Sequence, residues 1–312
     1  LGLFDPLDTE GKFTDKVPMW KGLGAKEADK SIIAHLKEQG RVFKHETFVH
    51  SYPHCWRTGV PLLYRALKTW FLKVDAPVTS KDGVTKTLKE WMVENNQMVN
   101  WVPSHIRDGR FGKWLENARD WNLSRNRFWG TPIPVWLSDD GDMIAVGSIE
   151  ELKDLTGVEL NDLHKHFVDK LTIEKDGKVY HRTPEVFDCW FESGSMPYAS
   201  RHYPFENKEL VEKSFPADFI AEGLDQTRGW FYTLTVLSNA LFQKPAFKNV
   251  IVNGIILAED GTKMSKSKRN YPDPNDLIER TGSDAIRLFM INSAALKAED
   301  LRFSEEGVKG IV

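Results

Sequence analysis

Apolar positions along the chain follow two periods. In 26–39, Ala28, Ile32, Ile33 and Leu36 recur at helical spacing, which predicts a helix stopped by Gly40. Within 75–98, Leu88, Trp91, Met92 and Asn95 share one face of a second helix, ended by Trp101-Val102-Pro103, and 110–119 predicts a third. Partial alternation predicts a strand over 42–49, and the apolar, aromatic stretch 61–74 predicts a return into a core. A short strand is predicted over 186–191. The stretch 219–242 predicts a strand, a glycine-containing turn and a long apolar helix through Trp230. The β-branched run 250–257, interrupted only by Asn253 and Gly254, predicts a buried strand of a mostly parallel sheet. Glu259-Asp260-Gly261 breaks that run as a turn. A helical pattern begins at Asp276, and 275–291 predicts two short helices around Gly282 with Ser283 as an N-cap.

Strands alternating with helices make the chain α/β. The stretch 137–182 differs in character. It has an Asp139-Asp140-Gly141 turn, a helix opening at Ser148 with Glu151 three residues on, and a Lys175-Asp176-Gly177 turn, and so predicts a peripheral insertion.

Composition narrows the class. The 312 residues are 41% apolar and 28% charged, with eleven Trp and eighteen Phe, which fits about two globular domains with a substantial core. A net charge of −3 means that any nucleic-acid partner must be held by local patches. Two cysteines, Cys55 and Cys189, build neither a disulfide framework nor a CxxC zinc site, and they fit a reducing compartment. No apolar run is long enough to cross a bilayer, and no signal peptide is expected.

The chemistry concentrates late in the chain. Lys263-Met264-Ser265-Lys266-Ser267, followed by Lys268 and Arg269, is expected to leave the carboxyl end of a parallel strand, where such sheets bind ligands. Lysines there can follow a phosphoryl group as its charge rearranges; the bland reading is a solvated basic loop. Glu222, Asp225 and Gln226 at a strand-to-helix turn suit an ammonium group or ribose hydroxyls, or else Asp225 caps the helix. His50, His54 and Cys55, beside Trp56 and Arg57, are expected to pack or hydrogen-bond rather than bind metal. Arg125 and Arg127 beside Phe128 and Trp129 fit a nucleic-acid backbone or a packed surface turn, and His164 and His166 read as surface residues.

The strings NLSRNRFWGTPIPVW, FDCWFESGSMPYAS, AEGLDQTRGWFYTLTVLSNALF and NGIILAEDGTKMSKSKRNYPDP resemble the isoleucyl-tRNA synthetases, class I enzymes, of the kind found in the eukaryotic cytosol and its archaeal relatives. The likeness runs along nearly the whole chain, and KMSKS is the second signature of the class. It implies ATP-dependent activation of L-isoleucine, with Mg2+ accompanying ATP and no tightly bound metal, then transfer to tRNA(Ile) in the cytoplasm, with a larger synthetase complex as a possible setting and no membrane. It implies that Lys263 and Lys266 steady the pyrophosphate side of the transition state. Glu222, Gly223, Asp225, Gln226, Asn253, Gly254, Ser265 and Ser267 would hold ATP or the adenylate, and Trp190 and Trp230 would flank the isoleucine side chain. Trp129 and Arg125 would belong to the core beside the site.

The class's first signature, HxGH, does not occur. The expected architecture is therefore the C-terminal half of a Rossmann-like catalytic domain. Residues 1–50 would be the distal end of a β-rich editing insertion, 51–136 a return into the catalytic domain, 137–182 the peripheral insertion, and 183–312 the half carrying the lysine loop. On this reading the 312 residues alone have neither activation nor editing activity. The competing readings are a non-catalytic tRNA-binding or regulatory paralogue and a valyl-tRNA synthetase.

Overall fold

The computed structural model describes residues 4–55, 58–266 and 268–312. Trp56, Arg57 and Ser267 lie outside the described residues. The chain divides into two compact units, Leu1–Lys68 and Thr69–Val312.

In the first unit the helix Ala25–Glu38 forms as its spacing predicts. The Glu27 carboxylate accepts from the Gly24 amide at 3.0 Å at its start, and Gly40 takes φ +65° past its end. The strand expected over 42–49 does not form, and Phe43, Phe48 and Val49 are exposed. Alternation needs a neighbouring strand to take up its backbone groups, and none runs beside it among the described residues. Leu62, Leu63, Tyr64 and Leu67 are likewise exposed, so only the end of the 61–74 stretch, at Val74 in the second unit, reaches a core. His50 and His54 each place Nδ1 near a backbone carbonyl, that of Ser51 at 2.9 Å and that of Tyr52 at 2.7 Å.

The second unit is built on a three-stranded parallel sheet. Asn249–Asn253 is central, Ile220–Gly223 lies on one side and Asn100–Val102 on the other. Trp101, expected to end a helix, is thus a strand residue. Three residues are too few to show a period, and the pairing that makes them a strand is with a segment some 150 residues away. Val250 and Val252 point into the core, where the Trp101, Phe231 and Phe247 rings meet edge to face. The helix Leu88–Asn96 buries its expected face of Leu88, Trp91, Met92 and Asn95. Thr87 and Glu90 cap it reciprocally: the Glu90 amide donates to Thr87 Oγ1 at 3.2 Å and the Thr87 amide to Glu90 Oε2 at 2.7 Å. The apolar helix Trp230–Phe242 is buried along most of its length, as its unbroken hydrophobicity predicts.

A four-stranded antiparallel sheet, in the order Met143–Ala145, Val135–Ser138, Lys178–Arg182, Thr172–Lys175, carries its own core of Trp136, Val146, Leu152, Leu171, Ile173 and Tyr180. Its helix Ile149–Thr156 starts as the sequence predicts, with Ser148 Oγ accepting from the Glu151 amide at 3.0 Å. At one end the Lys178 ammonium sits between Asp140, at 2.7 Å, and Asp142. Hydrogen bonding from Lys178, then from the Ser138 hydroxyl, lowers the Asp140 carboxyl to a pKa of about 2. A carboxyl depressed on folding stabilises above its unfolded pKa of about 4, and that contribution is lost as pH falls through about 2. Asp140→Asn is therefore expected to lower the denaturant midpoint near pH 6, with the gap to the unsubstituted protein closing by pH 2. A gap independent of pH would rule out this role for the ion pair.

Candidate functional site

Parallel pairing aligns Glu222 with Val252 and Gly223 with Asn253, so the carboxyl ends of two adjacent strands carry four of the expected site residues: Glu222, Gly223, Asn253 and, one step on, Gly254. This is where open parallel sheets present ligand crevices. A cavity of about 400 Å3 opens beside it, lined by Trp190, Ser193, Met196, Glu222, Gln226 and Trp230. Its two indoles come from different helices. Trp190 is on Cys189–Ala199, because the strand expected over 186–191 stops at Phe187 and Asp188 turns the chain into a helix. The Asp188 carboxylate accepts from the Trp190 amide at 3.4 Å, pairs with Arg125 at 2.8 Å and accepts from Trp121 Nε1 at 3.3 Å. Trp230 opens the long helix, and its Nε1 donates to the Ser193 carbonyl at 2.8 Å, fixing one cavity wall to the other.

Ser193 and Met196 were not anticipated. They follow Trp190 at steps of three, which on a helix is one face, but a strand reading of 186–191 hides that spacing.

The turn after Gly223 is a 3-10 segment, Leu224–Arg228. Helix capping falls to Gln226 rather than Asp225: Gln226 Oε1 accepts from the Trp230 amide at 2.9 Å, and its Nε2 donates to Asp225 Oδ2 at 3.1 Å. Asp225 is exposed and does not line the cavity. Glu222 is exposed, and its carboxylate has no hydrogen bond or ion pair among the described residues, so it is open to a cationic partner on a cavity walled by two indoles.

The run 250–257 is not one strand. It breaks at the buried Gly254, and Ile256–Leu257 pairs in parallel with Leu301–Arg302 in a separate two-stranded sheet. The lysine loop therefore leaves the shorter strand, not the main sheet. Leu257 and Lys263 bridge across its base, and the Asp260 carboxylate accepts from the Thr262 amide and hydroxyl at 2.8 and 2.7 Å, contacts that hold its pKa below the usual range. Lys263 and Lys266 are exposed, and neither ammonium has a partner among the described residues. Ser265 is half-buried; its carbonyl accepts from the amides of Lys268 and Arg269 at 3.1 and 2.9 Å. None of the described residues of the lysine loop lines the indole cavity. The following helix, Pro274–Thr281, is capped by Asp273. After Gly282 the helix Ser283–Ile291 starts without a side-chain cap, because Ser283 is already its first helical residue.

Trp129 and Arg125 are not core residues. Trp129 is 68% exposed and stacks on the exposed His164 at 4.3 Å between ring centroids, and Arg125 spends its charge on Asp188. Among the described residues no three His, Cys, Asp or Glu side chains cluster as a metal site, and no helix is long and apolar enough to cross a membrane.

The family model for tRNA synthetases class I (I, L, M and V) matches residues 10–302. Isoleucine–tRNA ligases of Chlamydia abortus and Treponema denticola are each 58% identical, over 98% of this chain and 28% and 27% of their own lengths. The chain thus spans little more than a quarter of these relatives. A solved structure of Mycobacterium tuberculosis methionyl-tRNA synthetase in complex with methionyl-adenylate is 18% identical, covers 85% of this chain and 41% of its own, and superposes with a TM-score of 0.50, a likeness of fold alone. These relatives are bacterial, so the eukaryotic cytosolic type expected from the sequence finds no support in them. With a parallel sheet presenting its carboxyl ends to an indole-walled cavity and a family match along nearly the whole chain, the protein belongs to the class I tRNA synthetases of the I, L, M and V group.

Proposed function

We propose that this chain is the part of an isoleucine–tRNA ligase that carries the lysine loop and the amino-acid pocket. The reaction joins L-isoleucine to tRNA(Ile) in two steps. The amino-acid carboxylate attacks the α-phosphorus of magnesium-bound ATP, the bond to the bridging oxygen breaks, and pyrophosphate leaves. The tRNA terminal ribose hydroxyl then displaces AMP from the acyl carbon. Little covalent work falls to the protein, so its contribution is positioning and charge stabilisation.

The observation that carries the reading is the unpaired Glu222 carboxylate on a cavity walled by Trp190 and Trp230. An α-ammonium group compensates the carboxylate while an aliphatic side chain lies between the indoles. Met196 and Ser193 complete that pocket. Gln226, with Asp225 behind it, serves the ribose side, and Gly223 and Asn253 leave room at the strand ends for the nucleotide. Gly254 shares that strand end, although its close packing on Glu299 makes it first a structural residue. Lys263 and Lys266 meet the leaving pyrophosphate, with Ser265 shaping the loop; Ser267 is included on the sequence alone. The 1–50, 51–136, 137–182 and 183–312 division and a cytoplasmic setting belong to the same proposal.

Exchange of labelled pyrophosphate into ATP tests the reading. In the full-length enzyme, exchange is expected to depend on isoleucine and to run less well with valine. Glu222→Gln is expected to raise KM for isoleucine about ten- to a hundredfold, the worth of one hydrogen bond to a charged group, with KM for ATP little changed. An unchanged KM for isoleucine would remove Glu222 from the ammonium site.

A further inference from the structure

We infer that Asn270 is the positioning residue of the lysine loop, an inference that rests on the activation reading above. Its side chain makes three hydrogen bonds to the loop it follows. Oδ1 accepts from the Ser265 amide at 2.9 Å, and Nδ2 donates to Thr262 Oγ1 at 3.0 Å and to the Lys263 carbonyl at 3.1 Å. One amide thereby grips the main chain on both sides of Met264 and the last side chain of the preceding turn. Two of the three contacts are to backbone, so they set where the loop runs rather than which side chains it carries.

The backbone beyond the loop serves the same end. Arg269, immediately before Asn270, takes the left-handed φ of +49°, which a non-glycine residue adopts only when its surroundings hold it there. The Arg269 amide donates to the Ser265 carbonyl at 2.9 Å, so the chain folds back on the loop just before Asn270. Thr262 is itself fixed by Asp260, through bonds of 2.8 and 2.7 Å, so Asn270 is tied to a rigid turn rather than to a free end. Lys263 and Lys266 spring from this clamped main chain with ammonium groups that nothing among the described residues engages. Two flexible cations on a fixed backbone are placed to meet charge that develops during the reaction, whereas the same cations on a loose loop would have to be ordered each time. Asn270 acts through the loop rather than on a reacting atom.

The test uses the full-length enzyme and pyrophosphate exchange, with Asn270→Ala, Asn270→Asp and Lys266→Ala compared with the unsubstituted protein. Asn270→Ala is expected to lower kcat by up to about a hundredfold, the cost of a misplacement of order 1 Å, while KM for isoleucine and the melting temperature hold. Asn270→Asp keeps the acceptor for Ser265 but loses both donors, and is expected to fall at least partway toward alanine. If Lys266→Ala lowers kcat but Asn270→Ala stays within twofold, the positioning role is overturned and the site reading survives. A fall in kcat accompanied by a matching rise in KM for isoleucine and a lower melting temperature would make Asn270 a fold residue only, which also overturns the inference. If Lys266→Ala itself leaves kcat unchanged, the activation reading falls and takes this inference with it.

Discussion

Lys266→Ala in the full-length enzyme is expected to lower kcat for isoleucine activation about a hundred- to a thousandfold, the usual effect of deleting one preorganised group that stabilises charge in a transition state. The lysine is exposed and its ammonium has no partner among the described residues, so it is not retained for stability, and its removal should leave the unfolding free energy within about 0.5 kcal/mol. Its effect must then appear where charge moves. As the bond to the bridging oxygen breaks, negative charge grows on the leaving pyrophosphate, and a mobile ammonium on a fixed loop gains more from that state than from bound ATP. For that reason kcat should fall while KM for isoleucine, set in the indole cavity, holds. Lys266→Arg keeps the charge but replaces a compact ammonium by a planar fork and should recover only part of the rate. Pyrophosphate exchange under saturating ATP reads all three enzymes. Equal rates for the alanine variant and the parent would remove Lys266 from the chemistry.

The two halves of this site were unequally legible in the sequence. Residue types alone left the lysine loop between a phosphate site and a solvated basic loop, and the likeness of KMSKS to the family signature decided between them, yet the strand it leaves was misjudged. The run 250–257 looks continuous in hydrophobicity, and nothing local reveals that Gly254 lies against Glu299 and that Ile256–Leu257 pairs with Leu301–Arg302 rather than with the main sheet. The acidic turn was read as a cluster, but the division of labour within it depends on distances: Gln226, not Asp225, reaches the Trp230 amide, leaving Glu222 as the carboxylate on the cavity. Trp190 and Trp230 were paired through family likeness. Composition and period could not bring them together, since the contact between their helices rests on Gly194 packing against the Thr233 carbonyl and the Leu237 side chain. Trp101, three residues of strand with a partner far along the chain, was legible by neither route. In Leu88–Asn96 the helical period gave both helix and buried face, and in Trp230–Phe242 unbroken hydrophobicity gave a buried helix, because such elements carry their own signal. Over 42–49 the reverse held: an alternating pattern proposes a strand, and only a partner makes one.

Gly254→Ala is expected to destabilise the second unit by about 3 kcal/mol, at the upper end of what an added methyl in a packed site costs. A β-carbon there would stand 1.7 Å from the Glu299 carbonyl oxygen, 2.4 Å from its carbon and 2.9 Å from its nitrogen. All three are backbone atoms, so no rotamer relieves the overlap and the 294–299 segment must move as a whole. That segment is tied at both ends: the Gly254 amide donates to the Ala295 carbonyl at 2.7 Å, and the Leu301 amide donates to the Ile255 carbonyl at 2.9 Å. Displacing it loosens the pairing of Ile256–Leu257 with Leu301–Arg302, and the lysine loop leaves directly from Leu257. The substitution should therefore lower both the denaturant midpoint and kcat, which separates it from Lys266→Ala, where only kcat falls. Gly109→Ala supplies the control, since its β-carbon meets nothing within 4 Å and its backbone does not need glycine; it should be neutral or up to about 1 kcal/mol stabilising. Urea unfolding of the three proteins decides the matter. If Gly254→Ala unfolds with the control, the close approach of Glu299 does not hold this strand end in place.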